Sequence, residues 1–208
     1  MKKKGIILIA VLAVLFVAMQ VLVMVGNSSA KGSGKNVTVV TAPEQDEPME
    51  NELFKVKEFE KPEIKGKNVA LNKRALDNGY NDVYDASLAV DGLTASASYW
   101  EGSAEEDVNT LTVNLKDKYN IHTMVIALNP DPIWGKRTQT FSISVSDDGK
   151  KFTELVPSAD YDFDPNTGNM VLIDGFKETK AQYVQVNITG NTGATAGQIA
   201  ELEVYSND

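Results

Sequence analysis

An all-β fold, an antiparallel β-sandwich or jelly roll, follows from three features of the sequence. The first is a clean alternation over Gln139–Ser146. Phe141, Ile143 and Val145 point one way and Thr140, Ser142 and Ser144 the other, because side chains on a strand alternate faces. The second is the stop behind it. Asp147-Asp148-Gly149 is a hairpin signal, since glycine takes positive φ at no steric cost, and Phe152 and Leu155 open a partner strand. The third is the recurrence of such short alternating stretches with almost no helix-period pattern. Strands with one dry and one wet face belong to antiparallel sheets.

The chain opens with Lys2-Lys3-Lys4 and an apolar run from Gly5 to Gly26. A basic start before an apolar helix is an export signal, and the run approaches the ~20 residues that span a bilayer. Ser28-Ser29-Ala30 offers a cleavage site. Residues 1–30 are therefore a cleaved signal peptide or a retained membrane anchor. Either places the rest outside the membrane, secreted or anchored, with the lysines inside. Residues 31–67 mix Gly, Ser, Pro, Lys and Glu, with Pro43, Pro48 and Pro62 spaced through them. They read as a flexible linker, in which only Val37–Val40 suggests a short strand.

Residues 68–208 form the folded domain. Val69-Ala70-Leu71 is a first short strand, and Lys73–Leu88 a loop-rich stretch. Leu111, Val113 and Leu115 alternate with polar neighbours. Met124, Ile126 and Leu128 define a further strand whose intervening residues, Val125 and Ala127, are apolar too, so it is buried on both sides. After the Gln139 strand and its Phe152 arm, Tyr161 and Phe163 alternate with Asp160, Asp162 and Asp164. Met170–Ile173 is a strand. Val184, Val186 and Ile188 form another. Ala200, Leu202 and Val204 close the chain, with Glu201 and Glu203 facing away.

Composition excludes several functions. No cysteine is present, which removes disulfides, thiolate metal sites and a cysteine nucleophile. The net charge of −9 argues against nucleic acid, whose partners need clustered Lys and Arg. His122 is the only histidine, and no Ser or second base accompanies it, so a catalytic triad has no basis. Glu105-Glu106 are adjacent in an acidic loop, unlike a glycosidase pair. Asp160-x-Asp162-x-Asp164 has Pro165 where a calcium loop needs glycine, and strand alternation accounts for it as a solvated face.

Several short motifs occur in a telling order: Asn68-Val-Ala70, Ala89-Val-Asp-Gly92, Tyr99-Trp-Glu101, Leu111-Thr-Val-Asn-Leu115, Arg137-Thr-Gln-Thr140, Ser146-Asp-Asp-Gly149, Tyr183-Val-Gln-Val186 and Ile199-Ala-Glu-Leu-Glu-Val204. This set resembles the discoidin superfamily, or coagulation factor five/eight type C domain, and most closely the bacterial carbohydrate-binding module family 32. The resemblance covers about Asn68 to Tyr205. It implies a galactose-binding-domain-like jelly roll with ligand loops at one end. It also implies a non-catalytic monomer that binds a glycan or, alternatively, a surface adhesion domain for a protein or lipid partner.

The same resemblance implies a structural Ca²⁺ at the Asp91-Gly92 turn. Its ligands would be Asp91, a hydroxyl among Thr94, Ser96 and Ser98, Glu201, and carbonyls near Leu88, Leu93 and Ala200. Oxygen-only donors suit a hard cation. The stretch Leu93–Ser98 is longer than the family pattern. For the glycan, an indole face stacks on a pyranose and polar neighbours read hydroxyls. Trp134 and Trp100 are the aromatic candidates, with Trp100 as readily a core residue. Tyr80 and Tyr84 lie in an early loop, Arg137 suits a fork of hydrogen bonds, and Asn191 sits in a small-residue loop.

Overall fold

The computed structural model describes Phe59 and residues 61–208. The apolar N-terminal run, its cleavage site and the Val37–Val40 strand lie outside these residues. Among the described residues no helix is long and apolar enough to cross a membrane.

Among the described residues every pairing is antiparallel. The central strand is β4, Asn109–Ala127. Its first half carries Arg74–Asp77 (β2) on one side and Thr179–Asn191 (β8) on the other. Arg137–Ser146 (β5) pairs with β8, and Thr153–Phe163 (β6) with β5. The second half of β4 pairs with Met170–Ile173 (β7) and Glu201–Ser206 (β10). Lys67–Asn68 (β1) lies outside β10. Trp100–Glu101 (β3) and Gln198–Ile199 (β9) make a separate small ribbon.

Two stretches that read as separate strands are therefore one. Strand β4 passes between the halves of the sandwich at a register shift between Asn114 and Tyr119. Lys116 takes a left-handed φ of 79° there, and its N–H donates to Asn114 Oδ1. Likewise the Phe152 arm and the Tyr161–Phe163 alternation merge into β6. The first strand falls on Lys67–Asn68 instead of Val69–Leu71. Val69 and Ala70 are buried beside it, while Leu71 is exposed.

The alternations assign the core correctly. Leu111, Val113, Leu115, Phe141, Ile143, Val184, Val186, Leu202 and Val204 are buried, and Val125 and Ala127 are buried as well. Glu201 is a correction. Alternation turns it outward, yet only 2 % of it is exposed, because the Val90–Leu93 turn covers that face of β10 and Gly92 N–H donates to Glu201 Oε2 at 3.1 Å.

Strand β10 fixes the two ends of the sandwich. Glu201 begins it under that turn, and Ser206 ends it against Lys67. Residues before β1 turn back along the same strand. Lys61 Nζ donates to Glu203 and to the Tyr205 hydroxyl, and Phe59 packs on Gly168.

The ribbon is tied to β4 through one asparagine. Asn109 Nδ2 donates to Ser103 O at 2.7 Å, and Gly197 N–H donates to Asn109 Oδ1 at 2.6 Å. A Cβ on Gly102 would lie 2.5–2.7 Å from this side chain. Gly102→Ala is therefore expected to displace Asn109, leave the buried Gly197 N–H unpaired and cost about 2–3 kcal/mol in urea unfolding.

Candidate functional site

At the end where β5 and β10 begin, three loops bring aromatic side chains together around a cleft of about 430 Å³, within the usual range for small-ligand sites. Trp134 ends the short 3₁₀ turn Pro132–Trp134. Asp131 caps that turn by accepting Ile133 N–H at 2.9 Å, and Gly135 ends it with φ 62°. Tyr84 precedes a second 3₁₀ turn, Ala86–Ala89, capped by Asp85. Tyr99 adjoins β3. Alternation along the ribbon sends Trp100 inward, fully buried, and turns Tyr99 to the cleft.

The rings form one wall. Tyr84 stacks on Tyr99 with centroids 4.3 Å apart, and Trp134 meets Tyr99 edge-on at 4.7 Å. The Arg137 guanidinium lies over the indole, 4.9 Å from its centroid. Its other side is the Gly193 backbone, where a Cβ would come within 2.7–2.9 Å of Arg137. Glycine at 193 is thus required by this close approach.

A polar relay runs behind the wall. Arg137 Nη1 donates to Gln198 Oε1 at 2.6 Å, Gln198 Nε2 to Glu101 Oε2 at 2.6 Å, and Asn81 Nδ2 to Glu101 Oε1 at 2.8 Å. Gln139 holds the Gln198 backbone through both its amide atoms, at 2.9 and 2.8 Å. Burial pushes the guanidinium pKa down from its ordinary value, opposed by Glu101. Burial and the neighbouring Tyr84 push the Tyr99 phenol up, so it stays protonated.

Beside the cleft lies the Asp91 turn. Asp91 Oδ1 accepts Leu93 N–H at 2.8 Å, and Oδ2 accepts the Ser98 hydroxyl. Of the three candidate hydroxyls, Ser98 is thus the one that reaches Asp91. Ser96 sits at φ 63° and offers its carbonyl to Asn129 Nδ2 at 2.7 Å, while Thr94 faces Phe59 in a small recess. Leu88 lies within the Ala86–Ala89 turn, Leu93 is exposed, and Ala200 N–H is held by Ala127 O at 2.8 Å. Glu201 Oε1 is buried with no hydrogen-bond partner. Burial, with Glu203 and Asp91 nearby and in spite of the Gly92 N–H, pushes the Glu201 carboxyl up to about 8. Among the described residues no three His, Cys, Asp or Glu side chains converge. A cation here would rest on two carboxylates, the Ser98 hydroxyl and main-chain carbonyls. That all-oxygen set, with a buried carboxylate oxygen lacking a partner, fits Ca²⁺.

The structure separates the other candidates. Tyr84, Trp134 and Arg137 share the cleft. Trp100 does not: it is 0 % exposed in the core, so it cannot touch a ligand. Tyr80 is half exposed and bridges to Gly102, away from the cleft lining. Asn191 braces its own loop, donating to Ala196 O and accepting Gly193 N–H. Tyr99 and Gln198 were not anticipated. The alternation with Trp100 was the signal for Tyr99; nothing local marks Gln198.

Two other clefts are less suited to a sugar. One of about 500 Å³ at the opposite end is lined by Lys151, Lys180, Asp147 and Glu154 without an aromatic ring. One of about 460 Å³ beside β6 and β7 is lined by Leu155, Val156, Leu172 and Phe176 with Tyr161, whose ring is already stacked on Phe141 at 3.9 Å.

No curated protein matches the chain significantly. Solved structures share its fold. Chitosan-binding module 1 of a chitosanase/glucanase from Paenibacillus sp. IK-5 is 24 % identical with a TM-score of 0.54, covering 68 % of this chain and 99 % of that one. The CBM32 of AlyQ in complex with 4,5-unsaturated mannuronic acid is 20 % identical with a TM-score of 0.52, covering 64 % and 93 %. A Streptococcus pneumoniae fucose binding module is 21 % identical with a TM-score of 0.51, covering 70 % and 99 %. The model of the F5/8 type C domain matches residues 72–202, which carry the β-sandwich, the aromatic cleft and the Asp91 turn. The chain belongs to the F5/8 type C domain family.

Proposed function

We propose that the chain is an exported, non-catalytic glycan-binding module whose Tyr84–Tyr99–Trp134 wall takes the sugar. The observation that carries this is the wall itself. Three rings meet at one open cleft with Arg137, held in place by Gln198, beside them as the polar reader. Sugars present an apolar ring face and a hydroxyl rim, and this pairing serves both. The solved structures named above as binding chitosan, fucose or a mannuronic acid lend the reading support as a class. Export rests on the N-terminal lysines and apolar run. The Asp91 turn holds Ca²⁺ as a structural ion, through Asp91, Glu201 and Ser98, outside the sugar cleft.

Affinity electrophoresis against chitosan, alginate, fucose-containing and galactose-containing polysaccharides tests this. Retention by at least one gel is expected, with Trp134→Ala losing it while its circular dichroism stays native. Folded protein that no glycan retards would refute the reading.

A further inference from the structure

Within the glycan cleft, we infer that the preferred ligand is an acidic sugar whose carboxylate seats on Arg137. This rests on the cleft being the glycan site, and deepens that reading from sugars in general to carboxylated ones.

Arg137 is only 7 % exposed. Among the described residues it has no carboxylate within ion-pair distance; the pairs present are Lys61–Glu203 and Lys118–Asp147. The nearest acid, Glu101, is held one residue away, because Gln198 stands between them and hydrogen-bonds to both. Arg137 Nε is buried with no partner. Nη1 is committed to Gln198, and Nη2 is neither hydrogen-bonded nor among the buried unpartnered atoms, so it faces the cleft. A cation is therefore pinned flat between an indole and a glycine backbone, with Nη2 open to the ligand.

Seating any sugar against the aromatic wall removes water from Nη2. A neutral pyranose returns one hydroxyl acceptor and leaves the charge less solvated than before. A carboxylate returns a charged acceptor to Nη2 and cancels the charge. Among the described residues Arg137 is also the only charged side chain lining the cleft, and none of them places an acid in the lining to repel an anion. Glu101 behind the wall is taken up by Gln198 and Asn81, and the long-range repulsion from the chain's net charge of −9 is screened at physiological salt.

Isothermal titration of the full chain in a mild detergent tests the inference. The probes are oligogalacturonate, the same oligomer with its carboxyls reduced to neutral galactose, and sialyllactose against lactose. Charge-assisted hydrogen bonds predict a preference for the carboxylated member of a pair of about tenfold to a hundredfold. The preferred pair tells an in-chain uronate from a terminal sialic acid. Arg137→Gln should abolish the preference and Trp134→Ala both bindings. The reduction comparison needs no variant, so misfolding of Arg137→Gln does not blunt it. Equal or tighter binding of the reduced sugar, lost in Trp134→Ala, would overturn the acidic preference and leave the glycan reading standing. A preference that survives Arg137→Gln would overturn the role of Arg137. Absence of binding to every glycan, neutral or acidic, would overturn both.

Discussion

Trp100→Ala is expected to lower the melting temperature by about 6–20 °C. Trp100 is fully buried on the small ribbon, paired with Ile199. Truncating a buried tryptophan costs about 3–5 kcal/mol through lost transfer energy and the cavity left behind. In a domain of this size each kcal/mol moves the melting temperature by roughly 2–4 °C. Because the ribbon also carries Tyr99, Glu101 and Gln198, sugar binding should weaken in the surviving folded fraction. Trp100→Phe separates the causes. The indole Nε1 is buried with no partner, so phenylalanine leaves a smaller void and removes that unsatisfied donor, and the cost should fall to about 1–2 kcal/mol. Trp134→Ala is the contrast: binding lost, with a smaller drop in melting temperature because the ring is only partly buried against the core. If Trp100→Ala melts like the parent protein in calorimetry, the ribbon is not part of the cooperative core.

The second large effect is a pH-dependent response to calcium. Glu201 has an ordinary value of 4.5 and is pushed up to about 8 in the folded protein. A carboxyl raised on folding makes the folded state bind the extra proton. Its stabilising contribution is full below about 4.5 and is lost as pH rises through about 8. In chelator, the melting temperature should therefore decline across that window. Calcium favours the ionised form and should remove the decline. At a hundredfold excess over Kd an ion that binds only the folded state adds about 2.7 kcal/mol, or roughly 5–10 °C here. The gap between calcium and chelator curves should widen from pH 5 to pH 8, and Glu201→Gln should close it. Scanning fluorimetry at five or six pH values decides the matter. Superimposed curves would mean that Asp91 serves only as a turn residue.

The strands were legible wherever one face is wet. Phe141, Ile143 and Val145 needed only their alternation with Thr140, Ser142 and Ser144. The continuity of β4 was not, because Lys116-Asp117-Lys118 looks like a turn and only the partner strand, through Tyr119 opposite Ala181, shows pairing resuming beyond it. Glu201 misled for a related reason: period-2 logic knows the two faces of a strand but not what folds over them. In the cleft, Trp134, Arg137 and Tyr84 declared themselves by residue type and loop position. Gln198 did not, since its importance lies in standing between Arg137 and Glu101, residues far from it in sequence.

One loop borders both sites. Asp91 and Ser98 are hydrogen-bonded to each other on the side of the proposed ion, while Ser96, Ala97 and Tyr99 line the cleft. If both proposed ligands bind, the first to arrive would take on part of the entropy of ordering that loop, and the other would then bind a stiffer partner. The proposed ion and sugar would be heterotropic effectors of one another. Reciprocity sets the terms: the factor by which calcium tightens sugar must equal the factor by which sugar tightens calcium.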